Sequence, residues 1–202
     1  MITRTDYLIS VLVGFLAGVF SIPTLVNLGL RDQGVLIVLP LAAPAILVIG
    51  MWVGNFLSRW VRVLAQFAKF SAVGFLNTTI DFGVLNILSA ITGVTSGFIL
   101  GGVNIPGFIL AVTNGYFWNK FWVFQNRNKE GVLRDFPKFF AVSVIAAVLN
   151  SGIVVVLTTY VPVQFGIESS VWLNISKVVA SLAALLWNFA GYKFFVFRSA
   201  RS

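Results

Sequence analysis

Phe67-Ala68-Lys69-Phe70 opens one stretch of this chain and Lys120-Phe121-Trp122-Val123-Phe124 closes it; Phe136-Pro137-Lys138-Phe139 opens a second and Lys193-Phe194-Phe195-Val196-Phe197 closes that one. Each stretch is basic and aromatic at both ends and apolar between. Reading the two as copies of one unit lets any polar residue in one be asked what its counterpart became. Each has room for two membrane-crossing helices, an even number, so both enter the bilayer in the same orientation. The expected architecture is two parallel-repeat hairpins related by a pseudo-twofold axis along the membrane normal.

Composition sets the class. Hydrophobic residues make up 58% of the chain and charged residues only 10%, against about a quarter charged in soluble domains. This is the profile of an all-α integral membrane protein. Apolar stretches of about 20 residues, enough to cross a bilayer core, can be drawn six times, at about 7 to 29, 34 to 57, 70 to 92, 98 to 119, 139 to 161 and 171 to 192. Six transmembrane helices are therefore expected, the last four forming the two hairpins. The fourth is the weakest, because Gly101, Gly102 and Pro106 leave room for its helix to start as late as Pro106, which a first turn accommodates. Pro23, Pro40 and Pro44 fall in the first two and are expected to kink them. Gly14 and Gly18, Gly50 and Gly54, and Ala180 and Ala184 lie one helical turn apart and suit close helix packing in lipid.

The chain divides into an N-terminal two-helix hairpin with an interfacial linker, 1–62, and a four-helix membrane domain, 63–202. Around the boundary Arg59, Arg62, Gln66 and Lys69 recur at steps of three, four and three. That spacing predicts a helix lying in the membrane interface; it equally suits basic side chains snorkelling from the ends of ordinary spans. Met1 to Leu30 reads as a retained first helix, its apolar run being longer than a signal-peptide core.

The net charge of +8 reports topology. With six spans, Arg4, Arg59, Arg62, Lys69, Lys120, Arg127, Lys129, Arg134, Lys138, Lys193, Arg198 and Arg201 fall on one side and Arg31 alone on the other. This positive-inside bias makes the protein multi-pass with both termini cytoplasmic, and it argues against a nucleic-acid partner. Cysteine and histidine are absent, which removes thiol nucleophiles, imidazole bases and the usual transition-metal sites. The polar stretch from Asn126 to Asp135 is too short for a catalytic domain, and no phosphate-cradling glycine loop occurs. Neither an enzyme nor a bound cofactor or metal is expected.

Two ionisable residues lie within predicted spans, Asp81 and Lys177. A charge at mid-bilayer costs on the order of 3 kcal/mol, so such residues face a bundle interior, a partner or an aqueous cavity. Aligning the stretches at their openings maps Lys69 onto Lys138 and Asp81 onto Asn150; aligning the closings maps Lys120 onto Lys193 and Asn104 onto Lys177. The polar framework is matched but its charge is not. Three readings stand side by side: a structural Asp81 and Lys177 pair, a substrate or headgroup site with Lys177 as the anion-binding charge, or lysine snorkelling. Asn77, with Thr78 and Thr79, would add amide and hydroxyl groups one turn below Asp81. Lys69, Lys120, Lys138 and Lys193 sit among interfacial aromatics, either as membrane anchors or gathered on an anionic lipid headgroup.

The run Phe70-Ser71-Ala72-Val73-Gly74-Phe75-Leu76-Asn77-Thr78-Thr79-Ile80-Asp81-Phe82, then Asn119-Lys120-Phe121-Trp122-Val123-Phe124, then Asn188-Phe189 with Val196-Phe197, resembles the GtrA-like family of small membrane proteins over about 67 to 198. The chain departs from the family pattern at Gly115, where asparagine is frequent, and at Tyr192 and Phe195, which replace asparagine and tryptophan. The N-terminal hairpin also lies outside the four-span unit. The resemblance implies a protein of the bacterial cytoplasmic (inner) membrane that translocates a polyprenyl-phosphate-linked sugar for cell-surface polysaccharide synthesis. Its partners would be that lipid-linked sugar, membrane lipids, a membrane glycosyltransferase and a second copy of the chain in a homo-oligomer. Two alternatives remain open at this point: a non-transporting partner of a polyprenyl-phosphate glycosyltransferase, and a proton-coupled small-solute transporter using Asp81.

Overall fold

A computed structural model of the chain describes residues 2–94, 97–126, 131–161 and 169–197. Six α-helices follow one another: α1 (Arg4–Asn27), α2 (Gln33–Leu57), α3 (Val63–Thr92), α4 (Gly97–Trp118), α5 (Phe136–Tyr160) and α6 (Ser169–Gly191). Five-residue π-helical turns extend two of them, Asn119–Val123 after α4 and Tyr192–Val196 after α6. Among the described residues five helices are long and apolar enough to cross a bilayer, all but α4. The protein is an all-α integral membrane protein.

The structure decides two points that the sequence leaves open. No separate interfacial helix lies between the second and third helices. α2 stops at Leu57, residues 58–62 turn, and α3 then runs unbroken for 30 residues. Nothing in α3 interrupts it, since it contains no proline, and it ends only at Gly93, whose φ of 73° is the left-handed conformation a glycine adopts without a Cβ clash. At 1.5 Å per residue α3 is about 45 Å long, so it overruns a ~30 Å core and carries its basic first turns into the interface. Nor does α4 wait for Pro106. It begins at Gly97 and holds Pro106 in its interior. The proline ring presses on the carbonyl four residues back, here that of Gly102, and membrane helices tolerate such breaks where neighbouring groups compensate.

The chain forms two compact units, Met1–Gln125 and Asn126–Ser202. In the first, α1 packs against both α2 and α3, and α3 against α4. Small residues set the spacing. A Cβ on Gly14 would lie 2.6 Å from the Pro44 Cα and one on Gly18 2.6 Å from the Pro40 Cα, so the α1 and α2 backbones are in contact there. Gly83 of α3 likewise sits on the backbone of Phe20. Such approach is how helices gain packing energy where lipid tails are as apolar as the side chains. Thr3 caps α1 in a reciprocal capping box with Asp6, and Asp32 caps α2 by accepting from the Val35 N–H at 2.9 Å. In the second unit α5 packs on α6 and its π-helical turn. Gly191 there leaves room for the Val142 side chain.

Candidate functional site

The polar groups of the first unit form a ladder from its basic end inward. At the bottom the Lys69 ammonium lies 2.6 Å from Asp6 Oδ1, and the Trp122 indole N–H donates to the same oxygen at 2.9 Å. The second carboxylate oxygen accepts from the Thr3 N–H at 2.8 Å and its hydroxyl at 2.9 Å. Asp6 and Lys69 are both buried. Lys69 reads from sequence as either a membrane anchor or a headgroup ligand; in the structure its charge is committed to a carboxylate delivered by α1. A buried ion pair survives only when its remaining lone pairs are satisfied, as these are. Sequence reasoning passed over Asp6; the signal was the Thr3-x-x-Asp6 capping spacing, which fixes that side chain at the start of α1.

Lys120 is also buried, 1% exposed. The π-helical turn brings its ammonium 3.2 Å from the Tyr116 hydroxyl and 5.5 Å from the centre of the Tyr116 ring. One residue earlier, the Asn119 side-chain N–H donates to the Gly115 carbonyl at 2.7 Å. Gln66 ties the start of α3 to the same turn by donating to the Val123 carbonyl at 3.2 Å.

Deeper in the unit, Asn114 of α4 donates to Asn77 of α3 at 2.8 Å and accepts from the Trp118 indole at 3.0 Å. Gly115 is what admits this contact, because a Cβ there would occupy the position of the Asn77 amide. The Thr78 and Thr79 hydroxyls bond carbonyls of their own helix, Gly74 and Leu76, so their donor protons are already used. Above them Asp81 faces Gly107. A Cβ on Gly107 would lie 2.7 Å from the Asp81 carbonyl oxygen and 3.1 Å from its Oδ1. That Oδ1 is shielded from solvent and has no hydrogen-bond partner among the described residues. Asn104, half-buried, stands three residues before Gly107, hence on the same face of α4.

In the second unit Asn150 reaches Ser181 at 3.4 Å. Lys138 is exposed. Lys193 lies over the rings of Phe189 and Phe194, 5.6 and 5.7 Å from their centres. The Tyr192 hydroxyl and the Ser143 hydroxyl are 2.6 Å apart. Lys177 belongs to α6, and its side chain lies outside the described residues. The structure thus brings Asp81, Asn77 and Asn104 to the α3 and α4 interface, while Lys69 and Lys120 are anchored at the basic end. Asn114, which completes the amide chain, was missed by sequence reasoning.

Residues 69–197 match the family described as "GtrA/DPMS, transmembrane domain". The uncharacterized membrane protein YngA of Bacillus subtilis (strain 168) is 29% identical over 132 residues, which cover 64% of this chain and 77% of that protein. No solved structure matches. The α1 and α2 hairpin and the turn after it precede residue 69, where the family match begins. With the match spanning both framed stretches and the Asp81 helix, the chain belongs to the GtrA/DPMS transmembrane domain family, membrane proteins linked to lipid-linked sugar processes.

Proposed function

We propose that the protein translocates a polyprenyl-phosphate-linked sugar across the bacterial cytoplasmic membrane, and that its two framed stretches are copies of one hairpin adapted to an asymmetric substrate. The observation that carries this reading is Asp81. Its Oδ1 is buried beside a glycine in the middle of a long membrane helix, with no donor among the described residues. Such a group is expensive in a bilayer and is kept for a ligand or a relay. Sugar hydroxyls are donors, and a carboxylate only accepts. In the proposed scheme Asp81, Asn77 and Asn104 bind the sugar hydroxyls, and Lys177 takes the phosphate at one stage of transfer. Lys138 and Lys193 act at the membrane face that carries the positive charge, which this reading makes cytoplasmic, while the buried Lys120 holds the turn after α4 in place. No covalent step is involved.

The test is reconstitution into vesicles with a labelled polyprenyl-phosphate sugar. Asp81→Asn and Lys177→Met should each slow transbilayer movement by about tenfold, the loss of one charge-assisted interaction. Wild-type rates in both variants would remove the site.

A further inference from the structure

A groove runs between α2 and α3, with a volume of about 400 Å³. Leu47, Gly50 and Val53 line it from α2, and Phe67, Ser71 and Phe75 from α3. From Leu57 to Leu47, both lining residues, the α2 wall extends about 15 Å at the helical rise. The helices meet at Gly54, where an added Cβ would collide with the Ala68 methyl. One turn further from the basic end a Cβ on Gly50 would meet nothing within 4 Å. The small residues therefore serve two purposes: Gly54 lets the helices touch, and Gly50 leaves open space.

The ends of the two walls are joined by the turn at residues 58–62, which places Arg59 and Arg62 at one mouth of the groove. Leu57 and Leu64, each two residues from an arginine, line it. The Arg59 guanidinium lies 5.3 Å from the centre of the Phe56 ring. Neither arginine is ion-paired with a carboxylate among the described residues, and Asp6, on the neighbouring α1, is taken by Lys69. No acidic residue occurs anywhere between Asp32 and Asp81. An apolar trough whose two walls are joined by a turn carrying two arginines is complementary to a hydrocarbon chain ending in phosphate, which arginine binds in a two-pronged fashion.

We propose that this groove seats the isoprenoid chain of a polyprenyl phosphate, with the phosphate on Arg59 and Arg62. The choice of carrier lipid rests on the translocation reading above, but the α2 wall and both arginines lie outside the family match. The hairpin is then the part of this chain that collects the lipid before the α3 and α4 interface receives its sugar.

The experiment is photolabelling of the full chain in lipid nanodiscs with a diazirine-bearing long-chain polyprenyl monophosphate, mapped by peptide. Label should fall on α2 and α3, and Gly50→Leu should cut it about tenfold without lowering thermal stability, because the added side chain enters open space. Arg59→Gln with Arg62→Gln should cut labelling by the phosphate probe to a similar extent while leaving that by the matching polyprenol unchanged, since only the former offers a charge-assisted bond. Labelling that survives Gly50→Leu, or that ignores the arginine pair, overturns the proposal. Displacement by phosphatidylglycerol as readily as by unlabelled polyprenyl phosphate also overturns it, by showing an ordinary lipid site; so does replacement of lipid label by cross-links to a second copy of the chain. Translocation by Asp81→Asn is read in parallel: if it runs at the wild-type rate while Gly50→Leu and the arginine pair still cut labelling, the groove stands and the proposed role of Asp81 falls.

Discussion

Lys69 and Lys138 occupy the same place in two similar openings, Phe67-Ala68-Lys69-Phe70 and Phe136-Pro137-Lys138-Phe139, yet Lys69 is buried on Asp6 and Lys138 is exposed. The closings differ in the same sense. Lys120 is buried against the Tyr116 hydroxyl, whereas Lys193 is half-buried over the ring of Phe189, which aligns with Tyr116 and lacks the hydroxyl. The backbone does not differ. Each closing is a five-residue π-helical turn, sealed by a 2.8 Å bond from Phe124 N–H to the Asn119 carbonyl in one and from Phe197 N–H to the Tyr192 carbonyl in the other. Local sequence fixes the turn, and the partners set the electrostatics. In the first stretch the deciding partner comes from α1, which precedes the residues that match the family, so the N-terminal hairpin sets what this lysine does.

The sharpest break in this comparison is Asp6→Asn. It strands the Lys69 ammonium in a buried setting, and losing one member of a buried pair costs about 3–5 kcal/mol. Lys138→Met, at an exposed position, should change stability by less than about 0.5 kcal/mol. Thermal unfolding of the purified variants in one detergent checks both, and equal shifts would mean the two lysines are equivalent after all. Adding Lys69→Met to Asp6→Asn should recover most of the loss, because the stranded charge leaves with it.

A smaller effect is expected where the amide changes sides. In the first stretch Asn77 fills the space beside Gly115; aligning the stretches on their lysines puts Ala146 at the position of Asn77 and Asn188 at that of Gly115. Ala146 is buried, and Asn188 Oδ1 is shielded without a partner among the described residues. At this matched pair of positions each interface has one amide, from opposite helices. Gly115→Asn alone should overpack and cost about 1–3 kcal/mol. Combined with Asn77→Ala it reproduces the second arrangement and should recover part of that loss. A double variant no more stable than Gly115→Asn, measured in the same unfolding assay, would show that the two interfaces are not interchangeable.

Helix number and membrane class were legible because apolar runs of bilayer length leave few alternatives, and the polar set at the α3 and α4 interface was legible because Asp81 and Asn77 stand out against such a background. What stayed hidden depends on tertiary placement. Nothing in Arg59, Arg62, Gln66 and Lys69 distinguishes a separate interfacial helix from the overrunning first turns of a long one; the absence of a breaker after Val63 decides it. Pro106 left the start of α4 open because its cost is set by what surrounds the helix rather than by its own ring. Asp6 drew no reading from the sequence, because its role depends on α3 and the first π-helical turn bringing Lys69 and Trp122 to it.

The smallest expected effect concerns Tyr192, which stands where the first stretch has Asn119. Asn119 turns back to the Gly115 carbonyl of its own helix, while Tyr192 reaches across to Ser143 and stacks on Phe139 with ring centres 4.4 Å apart. The position aligned with Ser143 is Gly74, where a Cβ would meet nothing within 4 Å. The hydroxyl pair is thus a tie between α5 and the turn that the first stretch lacks, the latter being held by Gln66 and Trp122 instead. Tyr192→Phe keeps the stack and removes only the hydroxyl. Ser143 still bonds the Phe139 carbonyl at 2.9 Å, so no donor is stranded and the loss should be about 1 kcal/mol, the net worth of one hydrogen bond. Gly74→Ser in the first stretch should shift stability by less than about 0.5 kcal/mol. Hydrogen exchange at the Phe197 amide reads the tie directly: Tyr192→Phe should speed it while leaving Phe124 unchanged, and unchanged exchange at both would show that stacking alone holds the second turn.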